Sequence, residues 1–387
     1  MRIVYVASCV SEAVYGKLFS KPESRPAFQA QKYHRLFAEG LAAHTRVDVV
    51  GYPSVDGAAM EESSLDLPEE TAGGVRYHYI RTYRNQLRRW LHLCAGSFFR
   101  CMKLLDRDSV VMIDCLNQMT GLGALLASWI KGCRCVGIVT DLPEFLGGGP
   151  TVALAEFLIR RCTDYVVLTQ AMNDRINKKG KPHVVLEGHA DIAMEAKKPS
   201  LEKKGKPRIC LYAGSIQKIY GIERLVEGFR LAKLPGTQLH IYGAGDYQRQ
   251  LEKIAGEDPN VVYGGLLLPS QVVEKEQEAT LLVNPRPSEE EYVKYSFPSK
   301  TMEYMSTGTP VLTTRLPCLP EEYLPHLYFI EKETPQGVAE ALKRVLSEPE
   351  EALNQKGCQA RRFVLEQRNN VEQAAKVLAM LEGNRKQ

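Results

Sequence analysis

Three side chains of different chemistry lie close together in the stretch SFPSKTMEYMSTGTP (296–310): the hydroxyl of Ser299, the ammonium of Lys300 and the carboxylate of Glu303. In a helix, residues four apart share a face, so Ser299 and Glu303 would point the same way. A hydroxyl and a cation suit a diphosphate. Glu303 would lie about 5 Å further along the helix axis, where its carboxylate could accept from ribose hydroxyls. These residues fit a nucleoside diphosphate, although a capped surface helix with an incidental Lys–Glu pair remains an open alternative.

The residues around this group predict where the helix begins and ends. Pro298 precedes it and Gly308 follows it. Because proline is favoured in the first turn of a helix and glycine just past the last turn, the sequence predicts a helix over 298–307. Its first turn would offer unpaired backbone N–H groups and the positive end of the helix dipole to an anion.

Glycine-containing turns follow several strand-like segments in the second half of the chain. Glycine allows the backbone to come close to a ligand, and a mononucleotide site at strand ends needs such turns. A complete G-x-G-x-x-G fingerprint is absent, which disfavours a nicotinamide dehydrogenase. The turn residues that we expect to bind the donor, together with one further cation, are Gly214, Ser215, Lys218, Gly243, Gly245 and Gly264.

Short β-rich segments alternate with helical patterns from one end of the chain to the other, which predicts parallel sheets with helical crossovers. At 387 residues the chain is long enough for two domains. We expect strands near 2–7, 46–52, 74–80, 109–114, 134–140, 164–169, 183–187, 209–214, 238–243, 260–265, 280–285, 310–314 and 327–330.

A segment rich in Lys, Pro and Gly (193–208) interrupts this pattern and predicts a linker. The fold class is therefore α/β, with two doubly wound Rossmann-like domains facing a cleft. We expect an acceptor-binding domain over 1–195 and a nucleotide-sugar-binding domain over 205–365. The helical stretch 366–387 is expected to pack back on the first domain. Ligands of such domains bind at the carboxyl ends of the strands.

Composition excludes some classes of protein. Hydrophobic residues make up 44% and charged residues 25% of the chain, as in soluble globular proteins, and a net charge of +4 gives no indication of nucleic-acid binding. The ten scattered cysteines predict buried free thiols, because C-x-C at Cys133 and Cys135 is neither a redox nor a zinc motif. The sequence shows no signal peptide and no apolar run long enough to span a bilayer. We expect a cytoplasmic protein.

The second half resembles the retaining glycosyltransferases of family four, which have the GT-B fold, and in particular the type found in bacterial exopolysaccharide and capsule synthesis. The resemblance covers about 205–365 and is carried by the glycine turns and by NPRP…YSFPSKTMEYMSTGTPVL. It implies transfer of a hexose from a UDP- or GDP-linked donor with retention of anomeric configuration. The acceptor would be a glycan or a polyprenyl-diphosphate-linked sugar. Where the family has a first glutamate, this chain has Tyr295, which together with Ser296 would contact the donor.

A glycosyl transfer leaves negative charge on the departing phosphate, so fixed positive charge is the largest help. Lys218, Lys300 and Ser299 could supply it without a metal, and no Asp-x-Asp pair indicates a metal site. Asp141 could orient the acceptor or could cap a helix. We place Lys218, Lys300 and Asp141 as catalytic residues, and Asp141, Glu144 and His189 as acceptor-binding residues, although a structural role for His189 stays open. By resemblance, the segment 11–17 could also contact the donor.

The segment 76–107 carries eight basic side chains against one aspartate, with aromatic and leucine residues between them. Such a helix suits the surface of an anionic membrane. An amphipathic helix packed on its own sheet is the alternative.

Two further functions stay open. One is a nucleotide-sugar 2-epimerase of the same fold, which would need more acid–base side chains around the sugar. The other is a non-catalytic subunit that binds a nucleotide sugar beside an active partner, and Tyr295 is its only support.

Overall fold

The structure is a computed structural model. It describes residues 1–19, 28–55, 60, 62–145, 149–197, 199 and 207–383. Half of the predicted linker (198 and 200–206) and the last four residues of the predicted C-terminal stretch (384–387) lie outside the described residues.

The strands are β1 (Arg2–Ala7), β2 (Arg46–Gly51), β3 (Ser64–Leu65), β4 (Glu70–Ala72), β5 (Val75–Tyr79), β6 (Thr82–Tyr83), β7 (Ser109–Asp114), β8 (Arg134–Val139), β9 (Asp164–Val167), β10 (His183–Val185), β11 (Arg208–Ala213), β12 (Thr237–Tyr242), β13 (Val261–Tyr263), β14 (Leu281–Asn284), β15 (Val311–Thr314) and β16 (Tyr328–Ile330). Every predicted strand is present. The three that the sequence did not predict, β3, β4 and β6, are too short to show a periodic pattern.

The helices are α1 (Glu12–Leu18), α2 (Phe28–Ala42), α3 (Gln86–Leu104), α4 (Gln118–Lys131), α5 (Pro150–Arg161), α6 (Gln170–Ile176), α7 (Ile222–Ala232), α8 (Gln248–Glu257), α9 (Pro269–Glu278), α10 (Ser299–Thr307), α11 (Pro335–Leu346), α12 (Glu350–Gln367) and α13 (Asn370–Gly383). Short 3₁₀ turns cover Pro143–Phe145, Ile192–Ala196, Lys218–Tyr220, Glu291–Lys294 and Glu321–His326.

The described chain forms two compact units. The first comprises 1–189 and 370–387, and the second comprises 190–369. The first unit contains an eight-stranded sheet in the order β10-β9-β8-β7-β1-β2-β5-β4, parallel except for β4. Apolar residues of α13 (Ala374, Val377, Leu378 and Leu381) share its core with strand residues such as Tyr5 and Tyr77.

The second unit contains a six-stranded parallel sheet in the order β13-β12-β11-β14-β15-β16. Strand order reverses beside β11, as expected of a doubly wound sheet, and the carboxyl ends of β11, β12 and β14 lie next to one another. The α/β fold class with two Rossmann-like units is confirmed.

The long helical pattern near the end of the chain breaks at 368–369, where α12 ends and α13 begins. Gly357, a residue type that often interrupts a helix, lies inside α12. A Cβ built on Gly357 would be 2.0 Å from the carbonyl oxygen of Gly308. This glycine therefore permits close packing of α12 on the end of α10 and does not interrupt the helix.

All ten cysteines are free, and seven of them are buried. Cys115 and Cys162 line the space beside Gly137, since a Cβ built there would lie about 3 Å from both sulfurs. Hydrogen bonds from the Cys115 and Cys135 thiols lower the pKa of Cys162. The expectation of free and mostly buried thiols is confirmed.

Candidate functional site

Lys300 lies against the backbone at the carboxyl end of β11. A Cβ built on Gly214 would be 2.5 Å from Cε and 3.1 Å from Nζ of Lys300, and 3.0 Å from the hydroxyl oxygen of Tyr212. A side chain at residue 214 would therefore displace the Lys300 side chain, which occupies the space beside it. The lysine is one-fifth exposed, so its ammonium can still reach a ligand.

Glu303 lies one turn further along α10, as predicted. Its carboxylate is 4.0 Å from the ammonium of Lys300, and its side chain is 17% exposed. Tyr304 fixes the helix against β11, because its hydroxyl accepts a hydrogen bond from the backbone N–H of Ala213 at 2.9 Å. The amide of Asn284, at the end of β14, donates to the hydroxyl of Thr301 at 3.0 Å and holds the helix to a second strand.

The first turn of α10 differs from the prediction. The helix begins at Ser299, and Pro298 is its N-cap without a side-chain hydrogen bond. The N–H of Ser299 donates to the carbonyl of Phe297 at 2.9 Å, and that of Thr301 donates to the carbonyl of Pro298 at 2.8 Å. Since these two groups are already bonded, they are not available to an anion in this structure. The helix ends at Gly308 in the left-handed conformation, as predicted.

The other predicted glycines pack the strand-end loops against one another. A Cβ on Gly243, which has φ of 138°, would lie 1.7 Å from the carbonyl oxygen of Gly214. One on Gly245 would lie 2.1 Å from the carbonyl oxygen of Ile216, and one on Gly264 would overlap the ring of Tyr242. No larger residue fits these positions without movement of the loops that surround Lys300.

Lys218 and Ser215 lie on the exposed part of the same edge. The Lys218 side chain is 53% exposed, and its ammonium is 4.0 Å from a carboxylate oxygen of Glu223. Its backbone N–H donates to Asp246 at 2.9 Å, which holds the turn in place. The carbonyl of Ser215 accepts from the hydroxyl of Tyr212 at 2.8 Å.

The sequence did not single out Arg286, which follows β14. Its guanidinium lies 4.9 Å from the centre of the Tyr292 ring and donates to the hydroxyl of Ser296 at 3.4 Å. Its Nε is buried without a hydrogen-bond partner, and no carboxylate of the described residues forms an ion pair with it. A partly buried cation without an acidic partner favours an anionic ligand.

Tyr295 and Ser296 lie between Arg286 and α10. Tyr295 follows the turn Glu291–Lys294 and is half-buried. The contact of Ser296 with Arg286 joins a predicted donor residue to the cation that the sequence missed. Arg286 could have been found only from the strand order. In that order β14 is the neighbour of β11, so the carboxyl ends of these two strands lie side by side.

The first unit has a polar cavity of about 170 Å³ at the carboxyl ends of β1, β7 and β8. At about 30 Å³ per water, this volume holds several water molecules. Its polar lining consists of Ser8, Gln31, Ser54, Asp114, Asn117, Thr140 and Asp141. Apolar side chains such as Val10, Phe19 and Leu116 complete the lining. Asp141 therefore lies in the same cavity as Asp114, a second carboxylate that the sequence did not single out although it ends a predicted strand.

Buried hydrogen bonds hold Asp114 in place. Nε2 of His34 is 2.9 Å from Oδ2 of Asp114, and Nδ1 of His34 is 2.7 Å from the hydroxyl oxygen of Tyr5. Burial raises the pKa of Tyr5, so its hydroxyl stays protonated and donates to His34. His34 then donates to Asp114 through Nε2. This is the packing role that its place on α2 suggests.

Glu144 and His189 lie apart from this cavity. Glu144 accepts from Nε of Arg175 at 3.0 Å and lines a different pocket. Nε2 of His189 donates to the carbonyl of Tyr33 at 2.9 Å, and its ring lies 4.6 Å from that of Tyr33. Burial lowers the pKa of His189 to about 3, so the ring is neutral. In the segment 11–17, the hydroxyl of Ser11 caps α1 by accepting from the N–H of Val14.

The basic segment 76–107 contains strand residues of β5 and β6 as well as the helix α3. Several of its arginines bind within the unit: Arg81 with Asp66, Arg88 over the ring of Tyr83, Arg89 with the carbonyls of Tyr83 and Val55, and Arg100 with the carbonyl of Tyr79. Its exposed apolar side chains are Leu87, Trp90, Leu91 and Phe99. No helix of the described ranges has both the length and the apolar character to cross a membrane.

Among the residues that the structure describes, no group of three or more His, Cys, Asp or Glu side chains could hold a metal ion.

Residues 193–363 match a family model described as glycosyl transferases group 1. No protein of curated function is similar to the chain at a significant level.

Solved structures are similar along the whole chain. Sucrose-phosphate synthase from Thermosynechococcus elongatus is 16% identical, covers 99% of this chain and 98% of its own, and has a TM-score of 0.67. HepE from Anabaena in complex with UDP and glucose is 13% identical, covers 99% of this chain and 100% of its own, and has a TM-score of 0.66. A trehalose-6-phosphate structure from E. coli, bound with UDP-2-fluoro glucose, is 10% identical, covers 98% of both chains and has a TM-score of 0.69. These likenesses show that the chain has the GT-B fold.

Proposed function

We propose that the protein is a glycosyltransferase that moves a hexose from a UDP- or GDP-linked donor to a glycan or lipid-linked acceptor. The observation that carries the proposal is the arrangement of Gly214, Lys300 and Glu303. A cation lies on the backbone at a strand end, and a carboxylate lies one helical turn beyond it. The group 1 family match and the GT-B neighbours with bound UDP or a UDP sugar support a nucleotide-sugar donor.

The donor diphosphate would lie beside Lys300 and Arg286, with Lys218 and Ser299 at the exposed side. Glu303 would accept from the ribose hydroxyls. As the bond between the anomeric carbon and the phosphate oxygen breaks, the leaving diphosphate takes the electron pair. Fixed cations stabilise that charge in a partly dehydrated site. The reaction would then need no metal.

The acceptor hydroxyl would form the new bond to the anomeric carbon on the face from which the phosphate leaves, so that configuration is retained. Its proton would pass to the leaving phosphate oxygen, which balances the charge without a protein nucleophile. Asp141 and Asp114, in the polar cavity of the first unit, are placed to orient acceptor hydroxyls. Glu144 and His189, the other expected acceptor-binding residues, lie outside that cavity, where Glu144 pairs with Arg175 and His189 donates to the carbonyl of Tyr33.

Surface polysaccharide synthesis at the inner face of the membrane is part of the proposal. The exposed apolar residues of α3 support membrane contact, together with exposed basic residues of the segment 76–107 such as Arg84 and Arg107.

A thermal-shift panel of nucleoside diphosphates and nucleotide sugars tests donor binding. A ligand at 100 times its Kd stabilises the native state by about 2.7 kcal/mol. Lys300→Ala should abolish the shift caused by UDP or GDP, whereas Lys253→Ala, an exposed lysine of α8, should leave it unchanged. A Lys300→Ala variant with the wild-type shift would show that the site is misplaced. Detection of a glycosylated lipid-linked acceptor then separates an enzyme from a non-catalytic binding subunit.

A further inference from the structure

A second pocket of the first unit lies outside the polar cavity and has no role in the proposed chemistry. It has a volume of about 400 Å³ and is lined by residues of α5, α6 and the turns next to them. Both helices connect strands that follow one another in the order β8, β9, β10, and right-handed crossovers in one direction place them on the same face of the sheet. We call this pocket the α5–α6 groove.

The floor of the groove is apolar. Leu142 and Pro143 enter from the turn after β8, Ile159 comes from α5, Ile176 from α6, and the ring of Tyr165 from β9. All of them are buried except Ile176, which is partly exposed. An apolar floor that is open on one side favours the chain of an amphiphile over a free sugar or phosphate.

The rim of the groove is cationic. Five basic side chains line it against two carboxylates: Arg160, Arg175, Lys178, Lys179 and Lys181 against Glu144 and Glu156. Each carboxylate is paired with an arginine, Glu144 with Arg175 and Glu156 with Arg160. The three lysines therefore give the rim its net positive charge.

The lysines differ in what they can offer a ligand. The ammonium of Lys181 donates to the carbonyls of Arg160 and Cys162 and to the hydroxyl of Tyr165, so all of its N–H groups are used and it acts only through its charge. Lys178 donates one N–H to the carbonyl of Asp174 at 2.7 Å. Lys178 and Lys179 are exposed, and both can turn toward an anion at the mouth of the groove.

A further observation points to a lipid. The helices beside the groove, on the same face of the sheet, expose large apolar side chains: Leu87, Trp90, Leu91 and Phe99 on α3, and Leu126, Trp129 and Ile130 on α4. The guanidinium of Arg161, on α5, lies 5.8 Å from the Trp129 ring. Aromatic and basic side chains together suit a membrane interface.

We infer that the α5–α6 groove binds a lipid phosphate. The phosphate lies between Lys178 and Lys179, and the first part of the chain lies on the floor formed by Leu142, Ile159 and Ile176. The binding stands by itself; the further step, that this lipid carries the sugar acceptor, rests on the proposed function.

Calorimetric titration of the whole protein with farnesyl phosphate, a soluble lipid phosphate, tests this without any nucleotide. We expect saturable one-to-one binding. The double variant Lys178→Ala/Lys179→Ala should bind at least about tenfold more weakly, since a hydrogen bond to a charged group contributes about the free energy of a tenfold change. The matched double variant Lys253→Ala/Lys343→Ala, with two exposed lysines of α8 and α11, should bind like the wild type.

Farnesol, inorganic phosphate and phosphatidylglycerol vesicles separate the sources of binding. Inorganic phosphate that binds as tightly as farnesyl phosphate would reduce the groove to a general anion site and overturn the inference. Vesicle binding that resists competition by farnesyl phosphate, with no saturable site, would also overturn it. Ile176→Ser is a second variant, which should weaken the binding of farnesyl phosphate but not that of inorganic phosphate.

These outcomes are separate from those of the proposed function. If the protein binds UDP or GDP through Lys300 but does not bind farnesyl phosphate, this inference fails and the proposed function stands. If it binds farnesyl phosphate but neither UDP nor GDP, the inference stands and the proposed function fails.

Discussion

The side chain of Lys300 fills the space that any side chain at residue 214 would need. A Cβ at that position would come within 2.5 Å of Cε of Lys300. The pairing links the end of β11 to the first turn of α10, so the glycine and the lysine act as one unit. Either residue alone would be a weak indication of a phosphate site.

Gly214→Ala should therefore weaken nucleotide binding more than it changes stability. The clash is with the far end of a flexible lysine, which can move away, so we expect little loss of unfolding free energy. The ammonium would leave its position, and the Kd for UDP or GDP should rise by roughly tenfold or more, the effect of losing a charged hydrogen bond. Calorimetric titration measures the Kd, and thermal melting measures the stability.

Gly256→Ala is the matched control, because a Cβ at this helical position of α8 would meet nothing within 4 Å. It should leave binding unchanged and raise stability by up to about 1 kcal/mol, the difference in helix propensity. If Gly214→Ala and Gly256→Ala changed the Kd equally, Gly214 would have no specific role in nucleotide binding.

Arg286→Gln should also weaken binding of UDP or GDP, because the buried Nε and the guanidinium charge have no acidic partner among the described residues. An effect of about tenfold to a hundredfold is expected, as for one or two charged hydrogen bonds. Nucleosides without phosphate should bind equally to both proteins. Arg161→Gln is the control, since Arg161 also lies over aromatic rings but belongs to the first unit. Unchanged affinity in Arg286→Gln would place the diphosphate elsewhere.

His189 should make the first unit sensitive to acid. Its folded-state pKa, about 3, lies below the ordinary value of 6.5, because burial disfavours the charged ring. Below pH 6.5 the unfolded chain binds a proton that the folded state does not, so stability falls as the pH drops, by at most about 1.4 kcal/mol per pH unit for one group. Denaturant unfolding at pH 7.5 and 5.0 should show a smaller loss in His189→Gln. If the wild type and His189→Gln lost the same stability between pH 7.5 and 5.0, His189 would not be the cause of the acid sensitivity.

His78 should act in the opposite direction. Hydrogen bonds from its ring to Asp48 and Glu69, both at 2.9 Å, raise its pKa. A raised folded-state pKa gives stability that is fully present below pH 6.5 and is lost as the pH rises through the folded value. His78→Asn should therefore lose more stability at pH 6 than at pH 9. A His78→Asn variant that loses the same stability at pH 6 and at pH 9 would refute the role of charge.

The sequence predicted the strands and the group around Lys300 because both depend on local order. A short run of β-branched and other apolar residues specifies a buried strand wherever it pairs, and the spacing from Ser299 to Glu303 already places them on one helix face. Gly308 likewise ends its helix for a reason internal to the backbone, its positive φ.

Arg286 and Asp114 could not be singled out in this way, because their roles depend on which strand ends become neighbours. The same limit applies to Glu144 and His189, whose partners the sequence did not predict. Each follows a predicted strand, yet an arginine of α6 binds the first and aromatic residues of α2 surround the second. Sequence order does not reveal partners that are distant in the chain.

The division of the chain at 189–190 and 369–370 makes the second unit an insertion into the first. Since residues of α13 belong to the core of the first unit, that core stays open at one side during synthesis while the ribosome adds residues 190–369. At 5–20 residues per second this interval is about 10 to 40 s. We therefore expect the second unit to be able to fold while the core of the first unit still lacks α13.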